Sequence, residues 1–132
     1  MRDYERERSK RLLVLDDDVA LLRMASLSLR LEGFEVTTAA NGQLGLEEMQ
    51  TQRFDLIVLD LQMPVLDGRG FFREIRAAGF EQPVLILSAY GAEKARVQLG
   101  AQGAIEKPFV PEVLVDAVQA MIEQSASMTT RG

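Results

Sequence analysis

Asp16, Asp17 and Asp18 follow directly on the apolar run Leu12-Leu13-Val14-Leu15, and Asp60 ends a second such run, Leu56-Ile57-Val58-Leu59. If both runs are buried strands of one parallel sheet, their C-terminal ends open on the same crevice, where ligands bind in open α/β folds. Carboxylates gathered there call for a positive partner. Mg²⁺, which takes a few carboxylates together with phosphate oxygens and water, suits them. Two further groups project from the same edge: the Ser88 hydroxyl after Val84-Leu85-Ile86-Leu87, and the Lys107 ammonium, immediately before Pro108. An acid cluster with a metal, an isolated carboxylate, a hydroxyl donor and a lysine can carry out phosphoryl transfer. The cations neutralise charge on the equatorial oxygens while a carboxylate oxygen attacks phosphorus in line.

The elements that must position these groups alternate along the chain. The pattern predicts a strand over Leu12–Leu15, then a helix over about Val19–Leu31 that Gly33 can terminate. A second strand, Phe34–Ala39, leads to a helix opened by Asn41-Gly42 and carrying Leu44, Leu46 and Met49. After the third strand, Leu56–Asp60, a loop with Met63-Pro64 and Asp67-Gly68 enters a helix with Phe71, Phe72 and Ile75. Pro83–Leu87 forms the fourth strand, Ala92–Leu99 a short helix and Ala104–Glu106 a brief fifth strand. The last helix starts near Pro111, with Leu114, Ala117, Val118, Met121 and Ile122 spaced on one face.

Such alternation implies an α/β domain, a doubly wound parallel sheet of five strands with five helices over its two faces. The first, third and fourth strands are solidly apolar, as central strands buried on both sides should be. The second carries Glu35, Thr37 and Thr38, and the fifth is short and holds Glu106, so both suit edges. That is compatible with the flavodoxin-like order 2-1-3-4-5.

Composition narrows the chemistry. The 132 residues, 47% hydrophobic and 27% charged, suffice for one compact domain with its own core. A net charge of −5 argues against direct nucleic-acid binding, which needs a broad basic surface. The absence of cysteine excludes disulfides and thiolate chemistry. The absence of histidine excludes an imidazole base, a histidine metal site and a phosphohistidine of the chain's own. No apolar stretch reaches the roughly 18–20 residues of a membrane span, and the charged start Arg2-Asp3-Tyr4-Glu5-Arg6 is unlike a signal peptide. These features point to the cytoplasm, with no membrane association.

On Leu15-Asp16-Asp17-Asp18, Val58-Leu59-Asp60-Leu61-Gln62-Met63-Pro64 with Asp67-Gly68, Leu87-Ser88-Ala89 and Lys107-Pro108-Phe109, the chain resembles the receiver domain of two-component response regulators. The resemblance covers residues 10–124, with residues 1–9 and 125–132 expected as flexible flanks. It implies that Asp60 is the phosphoacceptor. Asp16 and Asp17 would hold Mg²⁺ (or Mn²⁺) together with Asp60 and the backbone carbonyl of Gln62. Ser88 would bond the phosphoryl group, and Lys107 would pair with it, aimed by a cis peptide at Pro108. The implied partners are a sensor histidine kinase or histidine phosphotransfer protein upstream, and a protein target or covalently linked output domain downstream.

Blander readings apply to each residue alone. The Asp16–Asp18 run could cap a helix, Asp60 could sit in a turn, and Ser88 and Lys107 are common at strand ends and surfaces. Two other functions fit part of the pattern. A haloacid-dehalogenase-like phosphatase also uses an aspartyl phosphate, but on an Asp-x-Asp motif, where this chain has Gln62. A degenerate receiver would dock partners without being phosphorylated.

One position departs from the resembled family. Receivers commonly carry a tyrosine or phenylalanine three residues before the site lysine, and here that residue is Ala104. Tyr90, two residues after Ser88, is therefore the candidate for the moving aromatic.

Overall fold

A computed structural model describes residues 9–131 of the chain. Ten elements alternate: β1 Arg11–Leu15, α1 Val19–Leu31, β2 Glu35–Ala39, α2 Gly42–Thr51, β3 Leu56–Asp60, α3 Gly68–Ala77, β4 Val84–Ser88, α4 Ala92–Leu99, β5 Gly103–Glu106 and α5 Pro111–Arg131. The strands form one sheet in the order β2-β1-β3-β4-β5, and every neighbouring pair is parallel. This is the flavodoxin-like doubly wound fold.

Side chains alternate across the central strands, and the two faces have separate cores. Leu13, Leu15, Ile57, Leu59 and Ile86 pack with Met49 of α2, Phe71, Phe72 and Ile75 of α3, and Ala95 of α4. Leu12, Val14, Leu56, Val58, Leu85 and Leu87 pack with Ala25 and Leu29 of α1 and with Leu114, Val118 and Met121 of α5. Apart from Arg11, Asp60 and Ser88 at their ends, β1, β3 and β4 are apolar because both of their faces are covered.

Helix boundaries follow side chains that bond backbone donors. Asp18 accepts from the N–H groups of Ala20 and Leu21, Asn41 from Leu44, and Asp67 from Gly70. Each supplies an acceptor to a helix end that has none of its own. Gly33, at φ 96°, closes α1 by donating to the Arg30 carbonyl at 2.9 Å.

At the C-terminus α5 runs past Gln124 to Arg131. No proline or glycine occurs between Glu112 and Arg131, so nothing in the backbone stops the helix there. The expected flank at the N-terminus lies, apart from Ser9, outside the described residues.

Candidate functional site

The register aligns the C-terminal strand ends. Leu15 pairs with Leu59, Asp60 with Leu87, and Ser88 with Glu106, so the residues that follow β1, β3, β4 and β5 meet at one edge. Asp16 is wholly buried there and Asp60 is 3% exposed, while Asp17 faces solvent. One carboxylate oxygen from each of Asp16, Asp17 and Asp60 lies within 4.8 Å of the others. Asp18, the fourth acid, is turned away as the cap of α1.

The helix beside Asp60 is held unusually close. A Cβ added at Gly68 would collide with the Asp60 carbonyl oxygen and the Leu61 Cα, and the Gly68 N–H donates to the Leu61 carbonyl at 3.0 Å. Any larger residue would push α3 off the end of β3.

Lys107 spans the acids. Its Nζ lies 2.9 Å from Asp16 Oδ2 and 3.2 Å from Asp60 Oδ1. The contact with Asp60 is a hydrogen bond. The contact with Asp16 is an ion pair without hydrogen-bond alignment, so Oδ2 is a buried oxygen with no hydrogen-bond partner. Asp16 Oδ1, by contrast, accepts from the Asp18 N–H at 2.9 Å. The Lys107 N–H donates to the Ser88 carbonyl at 2.9 Å, and the Lys107–Pro108 peptide is cis.

These contacts set the electrostatics. Burial, then the charge of Asp16, raises the Asp60 carboxyl above its ordinary value, against the opposing pull of Lys107 and a bond from the Gln62 N–H. Burial alone would lower Lys107, but its contacts with Asp16 and Asp60 outweigh that and hold it above its ordinary value. The site concentrates negative charge that one ammonium only partly answers. Hard carboxylate oxygens, one of them orphaned, form a donor set that fits Mg²⁺.

Ser88 is brought to the edge but not to the acids. Its Oγ donates to the Tyr90 carbonyl at 2.8 Å, and the Tyr90 N–H returns a bond to Oγ at 3.3 Å. The Tyr90 ring is 86% exposed, and Gln62 is exposed as well. Ala104 lines an open surface groove of about 620 Å³ with Phe109 and Val113, and Tyr90 is not among the groove's lining residues. Sequence reasoning missed Glu106 as anything but an edge-strand marker. Its carboxylate accepts from the Gly91 N–H, 3.2 Å away. Its position immediately before Lys107 was the available signal.

Comparison with known proteins agrees with this architecture. A family model described as the response regulator receiver domain matches residues 12–119. The transcriptional regulatory protein PrrA of Mycobacterium tuberculosis is 42% identical over 125 residues, covering 92% of this chain and 54% of that protein. The transcriptional regulatory protein GlrR of Escherichia coli is 37% identical over 121 residues, 89% of this chain and 27% of that one. The chain thus spans about half or less of the length of these relatives. Among solved structures, the chemotaxis response regulator CheY4 of Vibrio cholerae superposes with a TM-score of 0.78 at 35% identity, over 86% of this chain and 98% of that one. The chain belongs to the receiver-domain family of two-component response regulators, a family of signalling modules whose general function is to be phosphorylated by a kinase.

Proposed function

We propose that Asp60 accepts a phosphoryl group from the phosphohistidine of a sensor kinase or histidine phosphotransfer protein, and that a protein partner or linked output domain reads the result. An Asp60 oxygen attacks phosphorus in line and the phosphorus–nitrogen bond breaks, its electron pair returning to the donor imidazole. The product is an acyl phosphate. Hydrolysis breaks the new phosphorus–oxygen bond and restores the carboxylate.

Asp16, Asp17, Asp60 and the Gln62 carbonyl would hold Mg²⁺, which when bound neutralises charge on the phosphoryl oxygens. Lys107, already 3.2 Å from Asp60, would pair with the same oxygens. Ser88 donates its hydroxyl proton to a phosphoryl oxygen once it releases the Tyr90 carbonyl. The membership of the chain in the receiver family supports a cytoplasmic setting, and the acidic net charge of −5 supports a protein as the reader. That the relatives are named transcriptional regulators, and are longer, supports a linked output domain as that reader.

The single observation that carries this reading is the buried Asp60 carboxylate, flanked by two acids within 4.8 Å and a lysine at 3.2 Å. Intact-mass measurement after acetyl phosphate and Mg²⁺ tests it. One base-labile phosphoryl adduct, absent from Asp60→Asn, is expected. An adduct that survives Asp60→Asn, or none on the wild-type protein, overturns it.

A further inference from the structure

The loop between β4 and α4 is held closed at two points. The first is the Ser88 hydroxyl, which donates to the Tyr90 carbonyl at 2.8 Å. A serine has one hydroxyl proton, so it cannot serve Tyr90 and a phosphoryl oxygen together. The second is one residue further on. Gly91, in the left-handed conformation at φ 63° and ψ 34°, is the N-cap of α4 and contributes no side-chain cap. Its own N–H donates to Glu106 Oε2 at 3.2 Å.

Glu106 is well placed for this. It ends β5 as the register partner of Ser88, and Lys107 follows it in the chain. The Lys107 N–H bonds the Ser88 carbonyl at 2.9 Å, so the backbone around Glu106 is tied to the Ser88 strand end. The Glu106 carboxylate reaches over this tie to the amide that follows Tyr90.

We infer that Glu106 is a latch on the β4–α4 loop, a positioning residue that sets how readily Ser88 leaves Tyr90 for the phosphoryl group. Among the described residues, no hydrogen bond or ion pair joins its side chain to Asp16, Asp17 or Asp60. When Ser88 turns inward, the Tyr90 carbonyl loses its donor, and the Glu106–Gly91 bond is what still opposes movement of the loop. This inference rests on the phosphoacceptor reading of Asp60 and adds a control to it.

Removing the acceptor should favour the released loop by the net worth of one hydrogen bond, roughly three- to tenfold. Any ligand that binds only the released form gains affinity by the same factor. A negative charge beside the site could act by repulsion alone, and two substitutions separate the cases. Glu106→Ala removes acceptor and charge, whereas Glu106→Gln removes the charge but keeps an amide oxygen that can accept from Gly91.

Beryllofluoride, with Mg²⁺, serves as the phosphoryl mimic, titrated by amide NMR on the whole chain. The latch predicts that Glu106→Ala binds it about three- to tenfold more tightly and loses exchange protection at the Gly91 amide. Glu106→Gln should keep wild-type affinity and protection. Equal tightening in both variants would mean repulsion and overturn the latch, as would unchanged or weaker binding by Glu106→Ala. If the wild-type protein binds no beryllofluoride, the Asp60 reading falls and the latch with it. If it binds and Glu106→Ala binds no tighter, the latch alone falls.

Discussion

The Lys107 ammonium lies 2.9 Å from Asp16 Oδ2, a wholly buried oxygen that has no hydrogen-bond partner. An ionised carboxylate in that position is stable only while a cation faces it. In the metal-free protein Lys107 is that cation, and Mg²⁺ would take over the role.

Lys107→Ala should therefore destabilise the metal-free protein by about 1–3 kcal/mol, the cost of leaving a buried polar group unanswered. Millimolar Mg²⁺ should narrow the gap, because a metal held at Asp16 would answer the same oxygen. Urea unfolding of both proteins with and without Mg²⁺ checks this, and a gap that Mg²⁺ leaves unchanged counts against metal binding at Asp16. The pH dependence follows from the raised value of Lys107. The folded protein holds that proton more tightly than the unfolded chain, so the stabilisation is fully present below pH 10.5 and is lost as pH rises through the folded value.

Asp60 has the opposite consequence. Its carboxyl is raised above 3.8, so ionising it costs the folded protein stability. The favourable state is the protonated one, present below pH 3.8 and lost as pH rises through the folded value. Asp60→Asn, which is neutral at every pH, should accordingly melt at a higher temperature than wild type at pH 7. The two should converge in acid. Equal melting temperatures at pH 7 would mean that Lys107 fully offsets burial and the Asp16 charge.

Val65 is strained. It adopts φ 72° in the loop between β3 and α3 and is 80% exposed, so burial gives it little in return. A β-branched residue rarely takes the left-handed conformation, which costs an ordinary L-residue roughly 1–2 kcal/mol and asparagine less. Val65→Asn should raise stability by about 1 kcal/mol by chemical denaturation. A loss of stability would mean that the exposed side chain makes contacts worth more than the strain.

Sequence patterns carried most of the architecture for identifiable reasons. β1, β3 and β4 are buried on both faces, so unbroken apolar runs betrayed them, and Thr37, Thr38 and Glu106 betrayed the edges. Asn41 and Asp67 announced their helices by the capping chemistry they perform. What stayed hidden depends on where side chains point once the strands are in register. Lys107 facing Asp16 as well as Asp60 and Glu106 reaching Gly91 each join residues of different strands or loops, while Ser88 turned onto Tyr90 is a local choice of hydroxyl direction. Val65 was hidden for a different cause, since its residue type argues against the backbone it adopts.

The final prediction concerns Tyr90, whose ring is 86% exposed. An aromatic ring in water gains by moving to apolar surface, and the groove beside Ala104, lined by Ile105, Phe109 and Val113, is open to receive one. Loss of the Ser88 bond to the Tyr90 carbonyl would remove one of the two restraints on the loop that delivers the ring there. The chain has two tyrosines and no tryptophan, so a Tyr4→Phe background makes tyrosine fluorescence a report on Tyr90 alone. Acrylamide should quench that fluorescence strongly in the unmodified protein and less after beryllofluoride and Mg²⁺ are added. Ala104→Phe, which fills the groove with a ring of its own, should keep Tyr90 open to quencher while beryllofluoride still binds. If quenching is the same before and after beryllofluoride binds the Tyr4→Phe protein, the ring stays in solvent and Ser88 acts on the surface by some other route.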